Sequence, residues 1–141
     1  TNLGLILPYA ALNLPLGILI MQGSYREIPS ELEDSARIDG ANAFQTWFKV
    51  MTPLVVTGLA AVTIFTFVAV WEEYMFASTF MLSTSAQTLS VGLPTLKVES
   101  KSWAYGTLSA ALTLSLLPIS IVFVVLRKYF VQGILRGSVK G

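Results

Sequence analysis

Trp71-Glu72-Glu73-Tyr74 sets two carboxylates between two aromatic rings, at the end of a run from Val50 to Trp71 that carries no charge. Carboxylates accept hydrogen bonds from hydroxyls, and an aromatic face packs well on the C–H face of a sugar ring. The quartet therefore suits contact with a sugar. A second reading stands beside it: Trp71 and Tyr74 belong to the aromatic belt at a membrane surface, and Glu72 and Glu73 face water. Acid–base catalysis fits poorly. Neighbouring residues on a helix point about 100° apart. The chain has no His and no Cys, so the commonest general base, the thiolate nucleophile and the usual soft metal ligands are missing. No phosphate-binding G-x-x-x-x-G-K-[ST] loop occurs. No enzymatic activity and no cofactor are expected. Asn13 is a polar group inside another apolar run; it either lines a pathway or hydrogen-bonds a neighbouring helix.

The elements that must position these residues follow from composition. Of 141 residues, 54% are hydrophobic and 12% charged, whereas soluble domains are about 25% charged. That balance predicts an all-α integral membrane protein. A membrane helix needs roughly 20 apolar residues, and three windows qualify: 3–21, 53–71 and 104–126. Pro8, Pro15 and Pro118 lie inside them, which predicts kinks and a packed bundle whose neighbours satisfy the freed carbonyls. Gly106 and Ala110 form a small-xxx-small pair suited to helix packing. The second part of the uncharged window 74–96 is rich in Ser and Thr with Gly and Pro, which reads as loop; a fourth span is the alternative. The window's start, 74–82, is expected to extend the second span or lie at the interface. Membrane lipid is therefore an expected partner; nucleic acid is not, at a net charge of +1.

Lys and Arg assign the sides. Arg26, Arg37 and Lys49 lie in 22–49; Arg127, Lys128, Arg136 and Lys140 lie in the tail; only Lys97 and Lys101 lie in 72–101. With three spans, the loop 22–49 and the tail share one side, expected to be cytoplasmic.

The loop 29–53 is built for more than connection. Glu31, Glu33, Asp34 and Asp39 place four of the eight acidic residues in its first half. Ser30-x-x-Glu33 predicts a capping box, and Glu33 with Arg37 predicts an i,i+4 pair. Asp39-Gly40 predicts the helix end, where glycine accepts a left-handed backbone. Phe44, Trp47, Phe48 and Met51 then share the face of a second short helix, and Pro53 opens the next span. This helix–turn–helix either repacks on its own bundle, docks into a groove on a cytoplasmic partner, or lies on the membrane surface. Its acidity argues against anionic lipid.

The same stretch resembles the coupling loop of ABC-transporter permeases, whose pattern is E-A-A, three residues, G, nine residues, then I-x-L-P. Asp34-Ser35-Ala36, Gly40 and Val50-Met51-Thr52-Pro53 stand at the matching positions. Asp34, Ser35 and Thr52 depart from it mildly. The surrounding IPSELEDSARIDGA is similar to the carbohydrate-uptake branch related to the maltose permease. Ala11-Leu12-Asn13-Leu14-Pro15, Trp71-Glu72-Glu73-Tyr74, TLSVGL at 88–93, WAYGTLSA at 103–110 and the tail RKYFVQGILRGSVKG extend the likeness over nearly the whole chain.

The resemblance implies the C-terminal part of a permease of about six helices, in a bacterial or archaeal plasma (inner) membrane. It implies a translocation pathway for a sugar, coupled to an ABC ATPase dimer, with a second permease subunit and an extracytoplasmic solute-binding protein. Asp34, Ser35, Ala36, Asp39, Gly40, Phe44, Trp47 and Pro53 are the expected ATPase-coupling residues. Asn13, Trp71, Glu72, Glu73 and Tyr74 are the possible substrate pathway. The alternatives are a membrane adaptor that docks a cytoplasmic partner without a solute pathway, and a permease for a non-sugar solute such as glycerol phosphate.

Overall fold

A computed structural model of the chain describes residues 3–81, 87–99 and 105–138. All regular structure among the described residues is helical. Helix α1 spans Leu3–Arg26. It runs through Pro8 and Pro15 and continues five residues beyond the predicted 3–21, placing Arg26 in its last turn, where a cation suits the helix dipole. Helix α8 spans Tyr105–Ser138 and likewise runs on through Pro118. Both are long and apolar enough to cross a membrane.

The second predicted span differs from expectation. Helix α3 (Ala43–Gln45) leads into a π-helical turn over Thr46–Met51, then α4 (Thr52–Leu54) and α5 (Val56–Glu72). The chain bends by 72° between Ala43–Leu54 and Val56–Glu72, and counts as a third span only if the bent pair is taken as one. The break falls at Val55, whose φ of −95° and ψ of 13° leave the helical region. Pro53 supplies a reason for the wider turn before it: its ring crowds the carbonyl four residues back, and it has no N–H to offer. The Thr52 hydroxyl donates to the Trp47 carbonyl at 2.9 Å and so helps satisfy the opened turn.

The window 74–96 holds two short helices, α6 (Met75–Phe80) and α7 (Leu89–Glu99), with Pro94 inside the latter. Of the TLSVGL and WAYGTLSA stretches, Trp103 and Ala104 lie outside the described residues, as do Lys101 and Lys140.

Two compact units divide the chain. One comprises Thr1–Leu14 and Phe65–Val124. Its core is small: Leu5, Ala77, Met81 and Val91 are buried together, with Tyr9 and Phe76 against them. The other comprises Pro15–Ile64 and Val125–Gly141. Here α1 and α5 approach closely at small residues. Gly58 is buried, and a Cβ placed on it would clash with the Ser24 hydroxyl and lie 2.8 Å from the Ser24 Cβ. Among the described residues nothing packs on the predicted Gly106–Ala110 pair: both are exposed, and a Cβ on Gly106 would meet nothing within 4 Å. Leu114, Leu117, Ile121 and Val125 of α8 are exposed too. A helix apolar on all sides requires lipid or other helices around it, not water.

Candidate functional site

The expected coupling residues lie on α2 (Ser30–Ile38), the Gly40 turn and the helical stretch 43–54. Helix α2 starts without the predicted capping box: Pro29 is the cap residue, and no side-chain cap bond forms. Ser30 is instead the first helical residue. The extended ψ of Pro29, 136°, lets its own carbonyl take the Leu32 N–H at 3.2 Å. The predicted Glu33–Arg37 pair is present at 2.6 Å on the exposed face; such pairs add about 0.3–0.5 kcal/mol. Ser35 donates its hydroxyl to the Glu31 carbonyl at 2.7 Å. Asp34 and Asp39 are exposed, while Ala36 is buried.

Gly40 ends the helix. Its φ is +81°, and the Ala41 N–H reaches back to the Ala36 carbonyl as the Gly40 N–H reaches the Arg37 carbonyl, each at 3.0 Å. This is a Schellman closure, which depends on a left-handed residue. Two residues on, Asn42 accepts from the Gln45 N–H at 2.9 Å, while the Gln45 side chain accepts from the Asn42 N–H at 3.1 Å. The capping box of this loop is therefore Asn42-x-x-Gln45.

Beyond it, Phe44, Trp47 and Phe48 form one aromatic cluster with centroids 6.1–6.2 Å apart, Phe44 and Phe48 stacked at 5°. Phe44, Trp47 and Phe48 are 71%, 46% and 58% exposed, so the cluster is not covered by the described residues of this chain. Met51, expected on the same face, is half-buried, and Pro53 is exposed. Helix α2 packs against the π-helical turn, and Thr46 on that turn is buried with its hydroxyl unsatisfied among the described residues. No sequence signal marked Thr46.

The residues expected along a substrate pathway part company. The Asn13 amide donates to the Tyr9 carbonyl of its own helix at 2.8 Å, and among the described residues it bonds no other helix. Trp71 stacks on Phe67 at 5.5 Å and donates its indole N–H to the Ser115 carbonyl of α8 at 3.2 Å. Glu73 is half-buried and accepts from Tyr9, Phe76 and Ala77. Desolvation pushes its carboxyl up, but the Phe76 and Ala77 amides, the Tyr9 hydroxyl and the Met75 amide outweigh this and hold it below the usual range. Glu72 and Tyr74 are exposed. Among the described residues no group of His, Cys, Asp or Glu is placed to hold a metal ion.

Comparison with known proteins places this architecture. The sequence signature described as "Binding-protein-dependent transport system inner membrane component" matches residues 1–136. The chain is 38% identical over 141 residues to the probable ABC transporter permease protein YurM of Bacillus subtilis, covering all of this chain and 47% of that protein. It is 31% identical over 141 residues to the trehalose/maltose transport system permease protein MalG of Thermococcus litoralis, covering all of this chain and 51% of that one. It is 35% identical over 129 residues to the melibiose/raffinose/stachyose import permease protein MelC of Bacillus subtilis, covering 91% of this chain and 46% of that one. The chain thus spans about half the length of these relatives. It belongs to the family of binding-protein-dependent transport system inner membrane components.

Proposed function

We propose that the chain forms part of the permease subunit of an ABC importer for a sugar. The family and the sugars in the names of two relatives support the cargo class. The observation that carries the coupling role is the outward aromatic cluster Phe44–Trp47–Phe48, held on the capped Gly40 turn between apolar helices. Exposed aromatics on a short helix suit a groove on another protein. The Lys and Arg distribution supports a cytoplasmic position for this loop, and the family supports an inner-membrane permease of about six helices. In the cytoplasm the loop docks into one subunit of an ATPase dimer, with Asp34, Ser35, Ala36, Asp39 and Gly40 shaping α2 and Pro53 joining the loop to the span.

ATP hydrolysis takes place on the partner. Closure of the ATPase pair moves the loop as a lever and switches the spans between two packings. A second permease subunit completes the pathway, and an extracytoplasmic binding protein delivers the sugar. Glu72 and Tyr74, exposed beside the end of α5, are the residues we assign to solute contact. The test is to purify the membrane assembly and measure ATP hydrolysis with and without sugar and binding protein. Stimulation by sugar is expected. Capture of an ATPase whose hydrolysis ignores sugar would make the chain an adaptor.

A further inference from the structure

Glu73 lies one residue beyond α5, and four donors converge on it. Its Oε1 accepts from the Phe76 N–H at 2.7 Å; its Oε2 accepts from the Ala77 N–H at 3.0 Å and from the Tyr9 hydroxyl at 2.8 Å. Its main-chain carbonyl accepts from the Ser90 hydroxyl at 2.6 Å, and Ser90 also pairs with Thr88 at 2.9 Å. One residue thereby ties together α1, the end of α5, the first turn of α6 and the start of α7. Alongside it lies the small core of Leu5, Ala77, Met81 and Val91, with Ala77 completely buried.

A carboxylate offers about four acceptor sites, and three are taken by the protein itself. At most one is left for a solute hydroxyl, so most of its accepting capacity already serves the protein. The core beside it is small, Leu5, Ala77, Met81 and Val91, and charge-assisted hydrogen bonds are about twice as strong as neutral ones. We infer that Glu73 is a positioning residue, a clasp that with Tyr9 fastens the α6–α7 segment to α1, and not a solute contact.

The consequence for uptake rests on the permease reading; the fastening itself does not. Hydrogen exchange of the full-length protein in its membrane assembly reads the clasp directly, because the Phe76 and Ala77 amides are its donors. Glu73→Ala should speed exchange in 75–81 by about tenfold. Tyr9→Phe removes a single hydroxyl, keeps the ring in the core, and should speed exchange in the same segment by less. Sugar uptake by Tyr9→Phe should fall in maximal rate with KM unchanged. Exchange unaltered in Tyr9→Phe, or a shifted KM with exchange unaltered, would overturn the inference. A wild-type assembly that takes up no sugar would instead overturn the permease reading and leave the exchange result standing.

Discussion

Ser24 of α1 stands where a side chain on Gly58 of α5 would have to go, its Cβ 2.8 Å from the position of a Gly58 Cβ. The two helices can approach this closely only because position 58 has no side chain, the usual device of membrane helix pairs. Ser24 is also held in place by its hydroxyl, which donates to the Ile20 carbonyl at 3.1 Å. Gly58→Ala should therefore destabilise the protein by about 1–3 kcal/mol, as overpacking does. Ser24→Gly in the same chain should return part of that loss. Thermal unfolding of the purified membrane protein, variant against double variant, measures both; equal losses in the two would show that the contact is not what limits position 58.

Thr46 is 3% exposed, and its hydroxyl has no partner among the described residues. A buried polar group left unpaired costs about 1–3 kcal/mol, and a methyl of the same shape does not. Thr46→Val should raise the melting temperature, whereas Thr46→Ala should give less because it leaves a void. A lower melting temperature for Val than for wild type would show that the hydroxyl is satisfied in the full assembly.

The loop has two sequence patterns for a capping box, and only one is used. Asn42→Ala should cost about 1 kcal/mol, the usual worth of such a cap. Ser30→Ala should be nearly neutral, because Ser30 makes no cap bond. Unfolding curves for the two single variants rank them; equal or reversed losses would contradict the assignment.

What could be read from the residues alone was whatever depends on local chemistry. Long uncharged runs marked α1, α5 and α8 because a membrane core admits few charges. Gly40 marked the turn because a left-handed backbone excludes most other residues. The cap was misplaced because Ser30-x-x-Glu33 and Asn42-x-x-Gln45 are both acceptable patterns; Pro29, already extended, takes the cap position and pushes Ser30 into the helix. Pro53 marks the start of the second span in the sequence, but the break falls two residues later at Val55, which is neither glycine nor proline. Tyr9 and Glu73 lie 64 positions apart. Only the folded chain brings them together, so Glu73 read as a solvated or sugar-facing carboxylate instead of one already occupied by the protein.

The coupling role of the loop is tested most directly at Gly40. A Cβ there would meet nothing within 4 Å, so the cost of a side chain comes from the +81° φ and not from a clash. A β-branched residue resists that conformation, while Asn accepts it more readily. The measurement is sugar uptake and ATP hydrolysis followed side by side in vesicles carrying the full transporter, with Gly40→Val, Gly40→Asn and wild type at equal membrane levels. Gly40→Val should lower uptake per ATP hydrolysed by about tenfold, the equivalent of ~1.4 kcal/mol of misplaced turn, with Gly40→Asn close to wild type. Normal uptake by Gly40→Val, with hydrolysis and uptake still in step, would contradict the coupling role of this loop.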